Sequence, residues 1–163
     1  MDEMEKRIVI EQLCNSIREN IAKIKENITS LEAIKEEYIQ RKKDFMEAVE
    51  TLYEANKYYE EAKRECEESL ICNAGKRAKM SFETTISEIN KQITRFETET
   101  IPKITNTISQ IEIKIEYFQS NINFVSQMSN TGEIEKMEVL ELEEHLRNTA
   151  RLLEEINTYY DMM

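Results

Sequence analysis

Residues with acid, base or nucleophilic side chains set the first question, because chemistry needs them at particular spacings. His145 is the single histidine, and its neighbours at helical spacing, Glu141, Leu142 and Thr149, add no second imidazole and no ligand cluster. Cys14, Cys66 and Cys72 are odd in number and do not repeat a two-residue gap, so reduced thiols are expected rather than a disulfide framework or a zinc site. Carboxylates stand side by side at Glu36 with Glu37, Glu60 with Glu61 and Glu67 with Glu68. General acid–base work needs a sheltered cleft that pushes two carboxyl pKa values apart, and thin helical rods do not provide one. The sequence also has no glycine-rich phosphate loop, nucleophile motif or calcium loop. The expectation is a chain that is not an enzyme, with no catalytic residues, metal, cofactor or small-molecule substrate.

The elements that carry these residues follow from composition. Only 2 Gly and 1 Pro interrupt 163 residues, too few for the turns of a compact mixed fold, so the elements must be few and long. With 34% charged and 40% hydrophobic residues and no Trp, the core is expected to be a seam between amphipathic helices. A net charge of -11 repels phosphate backbones and anionic lipid heads, which argues against nucleic-acid or membrane partners. The longest basic run, Arg41-Lys42-Lys43, falls between seam positions and reads as a solvated face. The first residues, Met1-Asp2-Glu3-Met4-Glu5, are acidic, and nowhere do about 18 apolar residues run together. Synthesis as a soluble cytoplasmic protein without a conventional secretion signal is expected.

Apolar residues recur at three-four spacing from Ile10 through Leu13, Ile17, Ile21, Ile24, Ile28, Leu31, Ile34, Tyr38, Phe45, Val49, Leu52, Tyr59, Ala62, Cys66 and Leu70. That is one stripe of one helix, about 65–70 residues long, which needs a partner along its seam. Asn73-Ala74-Gly75 is the first break, with Gly75 suited to a left-handed helix end. A second helix is expected over residues 76–128, its seam interrupted between Phe96 and Ile104, where Pro102 should kink or restart it. Ser129-Asn130-Thr131-Gly132 is the second break. A third helix, capped by Thr131, should turn Val139, Leu142, Leu146, Leu153, Ile156 and Tyr160 inward.

The expected fold class is therefore all-α: a long antiparallel, coiled-coil-like hairpin over residues 1–128 with its bend near 73–75, and a shorter helix over 133–163 packing on the open end. Reversal at Gly75 places the end of the second helix beside about residue 22, and reversal at Gly132 lays the third helix along residues 22–50 of the first. Adjacent apolar pairs seven apart, Tyr38/Ile39, Phe45/Met46 and Leu52/Tyr53, widen the seam there enough for two neighbours. Extra apolar surface on a two-helix coil is the alternative. The same register leaves about the first 20 residues overhanging, with Ile10, Leu13 and Ile17 as an exposed stripe for a partner, unless the N-terminus frays or bends back. The second helix also carries many uncharged polar residues outside its seam, among them Thr84, Thr85, Asn90, Thr105 and Thr107. These are cheaper to desolvate than ions, although compositional drift explains them equally well. Ile10, Leu13, Ile17, Ile39, Met46 and Tyr53 are the candidate protein-binding residues, and Asn73, Gly75 and Ala78 the candidate turn.

Asn73-Ala74-Gly75 followed by Ala78 and Phe82 resembles the bend of the WxG-type helical hairpins associated with type VII secretion. Gly75 and Ala78 match that bend, Phe82 sits about one residue late, and Asn73 stands at the Trp position. The export pattern of that family, an aromatic followed four residues later by an acid, is not formed by Tyr117, Phe118 or Tyr160. The resemblance covers residues 10–128 and fits best the longer hairpins that accompany LXG-type toxins. It implies a targeting partner, chaperone or adaptor that binds the helical region of a toxin, together with a second small helical protein, for export. The alternative from the residues themselves is a homodimeric coiled-coil scaffold or spacer.

Overall fold

The computed structural model describes residues 2–69 and 73–163. It is all-α, and no strand occurs among the described residues. Helix α1 spans Glu3–Ser69 without interruption, as an unbroken three-four stripe with no Gly or Pro requires. Helix α2 covers Asn73–Arg95, a π-helical turn Phe96–Thr100 follows, and α3 covers Ile101–Thr131. A 3-10 turn over Glu133–Lys136 leads to α4, Val139–Asp161. The chain divides into two compact units, one built from residues up to Glu36 together with those from Gln110 onward, the other from Glu37–Ser109.

The second unit is an antiparallel helical hairpin. Lys79 reaches Glu67 at 2.9 Å and Lys63 reaches Glu83 at 3.6 Å across it. The Phe45 and Phe96 rings meet edge to face at 5.2 Å, and Tyr59 lies 6.0 Å from Phe82. Two helices cannot surround a side chain, so Phe45, Leu52, Tyr59 and Cys66 reach only half-burial, while Val49, Ile86 and Ile93 sit at the line of contact. The phase shift between Phe96 and Ile104 is absorbed by the π turn: Ile101 N–H donates to the Phe96 carbonyl five residues back. The one extra residue realigns the seam, and Pro102, which has no N–H to give, falls immediately after. The regular α-helix is thus interrupted just before Pro102, at the joint where the sequence placed one, and the interruption takes the form of a π turn.

The turn residues differ from expectation. Asn73, Gly75 and Ala78 lie inside α2, with Gly75 buried in its first turns. The left-handed glycine is instead Gly132, φ 77, at the end of α3, and no other described residue has a positive φ. Leu70 and Cys72, named above as a seam position and a thiol, lie outside the described residues.

In the first unit three helices pack together. Arg18 Nε donates to Ser129 Oγ at 3.1 Å, setting α1 antiparallel to α3. Asn20 Nδ2 donates to Thr149 Oγ1 at 3.3 Å and Asn27 Nδ2 to Asn157 Oδ1 at 2.6 Å, so α4 runs parallel to α1. The hairpin with a shorter C-terminal helix packed on its open end is thus what the chain forms. The position of that helix is new. At an offset of 129 to 130 residues, Val139 stands level with about Ile10 and Asp161 with about Leu31, against the expected 22–50. Two things cause this: α3 runs on to Thr131, level with about residue 16 of α1, and then a 3-10 turn and the extended Met137 and Glu138, which rise further per residue than an α-helix, carry the chain on toward the start of α1 before α4 begins. Thr131 accordingly caps nothing; its hydroxyl donates back to the Gln127 carbonyl at 3.1 Å.

Candidate protein-docking surface

The six residues proposed for binding separate into two groups. Ile17 is fully buried, and with Cys14, Ile21, Val125, Ile134 and Leu142 it forms one core cluster against which Ile10 and Leu13 pack half-buried. There is no exposed overhang at these positions, because Ile134 from the 3-10 turn and Leu142 from α4 cover them. Cys14 Sγ lies 3.8 Å from the Ile134 carbonyl, and burial pushes its thiol pKa up, partly opposed by Arg18. Arg18 closes this end with a 3.2 Å contact to Glu135.

On α4 the inward set is Leu142, Thr149, Leu152 and Ile156. Val139, Leu146 and Leu153 are half-buried, and Tyr160 faces out while Tyr159 turns in. Thr149, only 2% exposed, tolerates burial because its hydroxyl donates to the His145 carbonyl and accepts from Asn20. His145 packs its ring 6.0 Å from Phe124.

Ile39, Met46 and Tyr53 behave differently. Spaced by seven, they share one face of α1 in the two-helix unit. Ile39 is half-buried, and Met46 and Tyr53 are each 51% exposed, unusual for large apolar groups aligned in a stripe. Beside them an open groove of about 780 Å³ runs between α1 and the start of α3, with Val49, Ile101 and Pro102 among its lining residues. Tyr53 spans one edge: its hydroxyl donates to Glu97 Oε1 at 2.9 Å. That bond, aided by the carboxylate charge, raises the Tyr53 pKa. The groove lies beside the π turn, with Glu97 from that turn and Pro102 just after it among its lining residues. Ile101, Pro102 and Glu97 were not among the expected site residues, although the eight-residue gap from Phe96 to Ile104 was the signal that could have found them. Apolar walls with a few polar groups at the rim suit the side chains of a partner helix.

Other surfaces are less specific. On α3, Ile113 and Phe124 are exposed and Tyr117 partly so, with the Tyr117 hydroxyl donating to Glu155 at 3.0 Å. The hydroxyls of Thr84, Thr85, Thr98, Thr105 and Thr107 each donate to the carbonyl four residues earlier, which explains how so polar a flank satisfies itself. Among the described residues, no group of three or more His, Cys, Asp or Glu gathers as a metal site, and no helix is long and apolar enough to cross a membrane. Compared with protein-family models, curated proteins and solved structures, the chain matches none of them.

Proposed function

We propose that this chain is a non-enzymatic helical protein–protein interaction module that takes a partner helix on the Ile39, Met46 and Tyr53 face of α1. One observation carries the reading: Met46 and Tyr53, seven residues apart, stay half open to solvent beside a groove, whereas the equivalent stripe nearer the N-terminus is covered by Ile134 and Leu142. The narrower reading, an accessory or targeting adaptor, or chaperone, for the helical region of a toxin exported by type VII secretion, rests on the sequence pattern of Gly75, Ala78 and Phe82 alone, residues that lie within α2. In that role the protein is made in the cytoplasm and leaves it with its cargo. A homodimeric scaffold is the second reading, favoured by the order of charges on either side of Met46.

Co-expression of the tagged chain with helical products of neighbouring genes, read by co-elution, tests the module. A bound helix is expected to be lost on Met46→Asp or Tyr53→Asp, both at exposed positions that leave the core untouched. Co-elution that ignores both substitutions removes this face as the docking site.

A further inference from the structure

We infer that a second copy of this chain occupies the Ile39, Met46 and Tyr53 face, packed antiparallel through α1 about a two-fold axis at Met46. The inference rests on the docking reading above and names its partner. At about 100° per residue, Ile39, Lys42, Met46, Glu50 and Tyr53 all fall within about 40° of one line on α1. Their order reads the same outward from Met46 in shape and opposite in charge. Lys42 precedes Met46 by four residues and Glu50 follows it by four, while Ile39 and Tyr53 stand seven to either side.

A two-fold axis through Met46 maps each residue onto the one equally far on its other side. Ile39 then meets Tyr53 of the copy, Lys42 meets Glu50, and Met46 meets Met46, whose flexible thioether adapts to its own image. Parallel packing would instead oppose Lys42 to Lys42 and Glu50 to Glu50. Lys42 and Glu50 both line the groove, so each charge already stands at the rim of the apolar surface that the copy would cover.

The distribution of net charge agrees. Residues 37–109 carry 14 carboxylates and 12 Lys or Arg, a net of -2, and the remaining residues account for the other -9 of the total -11. Two copies that met through the strongly acidic unit would repel one another, whereas the nearly neutral hairpin has no such penalty. The neutral unit is also the one that carries the Ile39, Met46 and Tyr53 stripe. The contact is registered by exposed charges, so the dimer should weaken as salt rises.

Size exclusion with light scattering on the full chain tests this. The wild type is expected at twice the chain mass of 19.4 kDa at high concentration. Lys42→Glu and Glu50→Lys, singly, should each raise the dissociation constant about tenfold or more, because symmetry turns two attractive pairs repulsive at once. The double variant K42E/E50K should return to wild-type association, and an equimolar mixture of the two single variants should form the mixed dimer. Circular dichroism confirms that the variants remain folded. A wild type that stays at the chain mass overturns the second copy. If such a monomer still co-elutes with a helical partner in a Met46-dependent way, the docking face stands with another occupant. A dimer unaffected by Lys42→Glu and by Met46→Asp overturns both the inference and the face, and a double variant no better than the singles overturns the antiparallel register.

Discussion

Ile17→Ala separates a core position from a docking position more sharply than any other single change. Ile17 has no exposed surface and packs among Cys14, Ile21, Val125, Ile134 and Leu142. Truncation to Ala removes three carbons, about 2.4 kcal/mol at roughly 0.8 kcal/mol per buried methylene. The cavity left between three helices adds to that, so a loss of about 3–4 kcal/mol is expected, within the range of about 2–5 for such truncations. For a chain of this size, about 2–4 °C per kcal/mol converts this to a melting shift of about 6–16 °C. Urea and thermal denaturation followed by circular dichroism measure it, with Asn15→Ala, an exposed neighbour, expected within about 0.5 kcal/mol of wild type. A loss below about 0.5 kcal/mol for Ile17→Ala would show that the residue faces solvent and that α4 does not lie along residues 10–31 of α1.

Three further outcomes follow from local geometry. Gly132→Ala should cost about 1–2 kcal/mol, because φ is 77 while a new Cβ would meet nothing within 4 Å, so the cost is purely backbone; Gly132→Asn should cost less in the same melts. Cys14, buried and with its thiol pKa raised, should resist alkylation in the native protein near neutral pH and react on unfolding, as a thiol-labelling time course would show. The sign of the linkage is set by that upward shift. The folded state holds the proton longer than the unfolded state, so the contribution is intact below pH 9.0 and declines as pH rises beyond it, a decline that Cys14→Val should reduce in alkaline urea titrations. Asn56 donates to Asn90 Oδ1 at 2.5 Å but leaves its own Oδ1 buried without a partner, and Asn90 is exposed to water. Asn56→Leu should therefore raise stability by about 1 kcal/mol, and an equal fall would mean that this oxygen is satisfied in solution.

Local pattern by itself determined the elements. The unbroken stripe from Ile10 to Cys66 meant one long helix, and the scarcity of Gly and Pro left few places for the chain to turn. The period of side-chain burial is a property of the helix itself, so it survives whatever packs against it. The phase slip near Pro102 was visible in the same way, although its resolution as a π turn depends on which carbonyl lies within reach of the Ile101 amide. Register and coverage were a different matter. Counting back from Gly132 assumed that helix resumes at once, whereas α3 ends level with about residue 16 and the 3-10 turn and two extended residues carry the chain on, so α4 starts about a dozen positions nearer the beginning of α1. That displacement put Ile10, Leu13 and Ile17 under cover and left Met46 and Tyr53 open, so only the tertiary structure decided which apolar stripe is core and which is surface. The physical reason is that periodicity reports that a face is apolar, while its partner is set by the length and pitch of a connecting segment that carries no periodicity of its own.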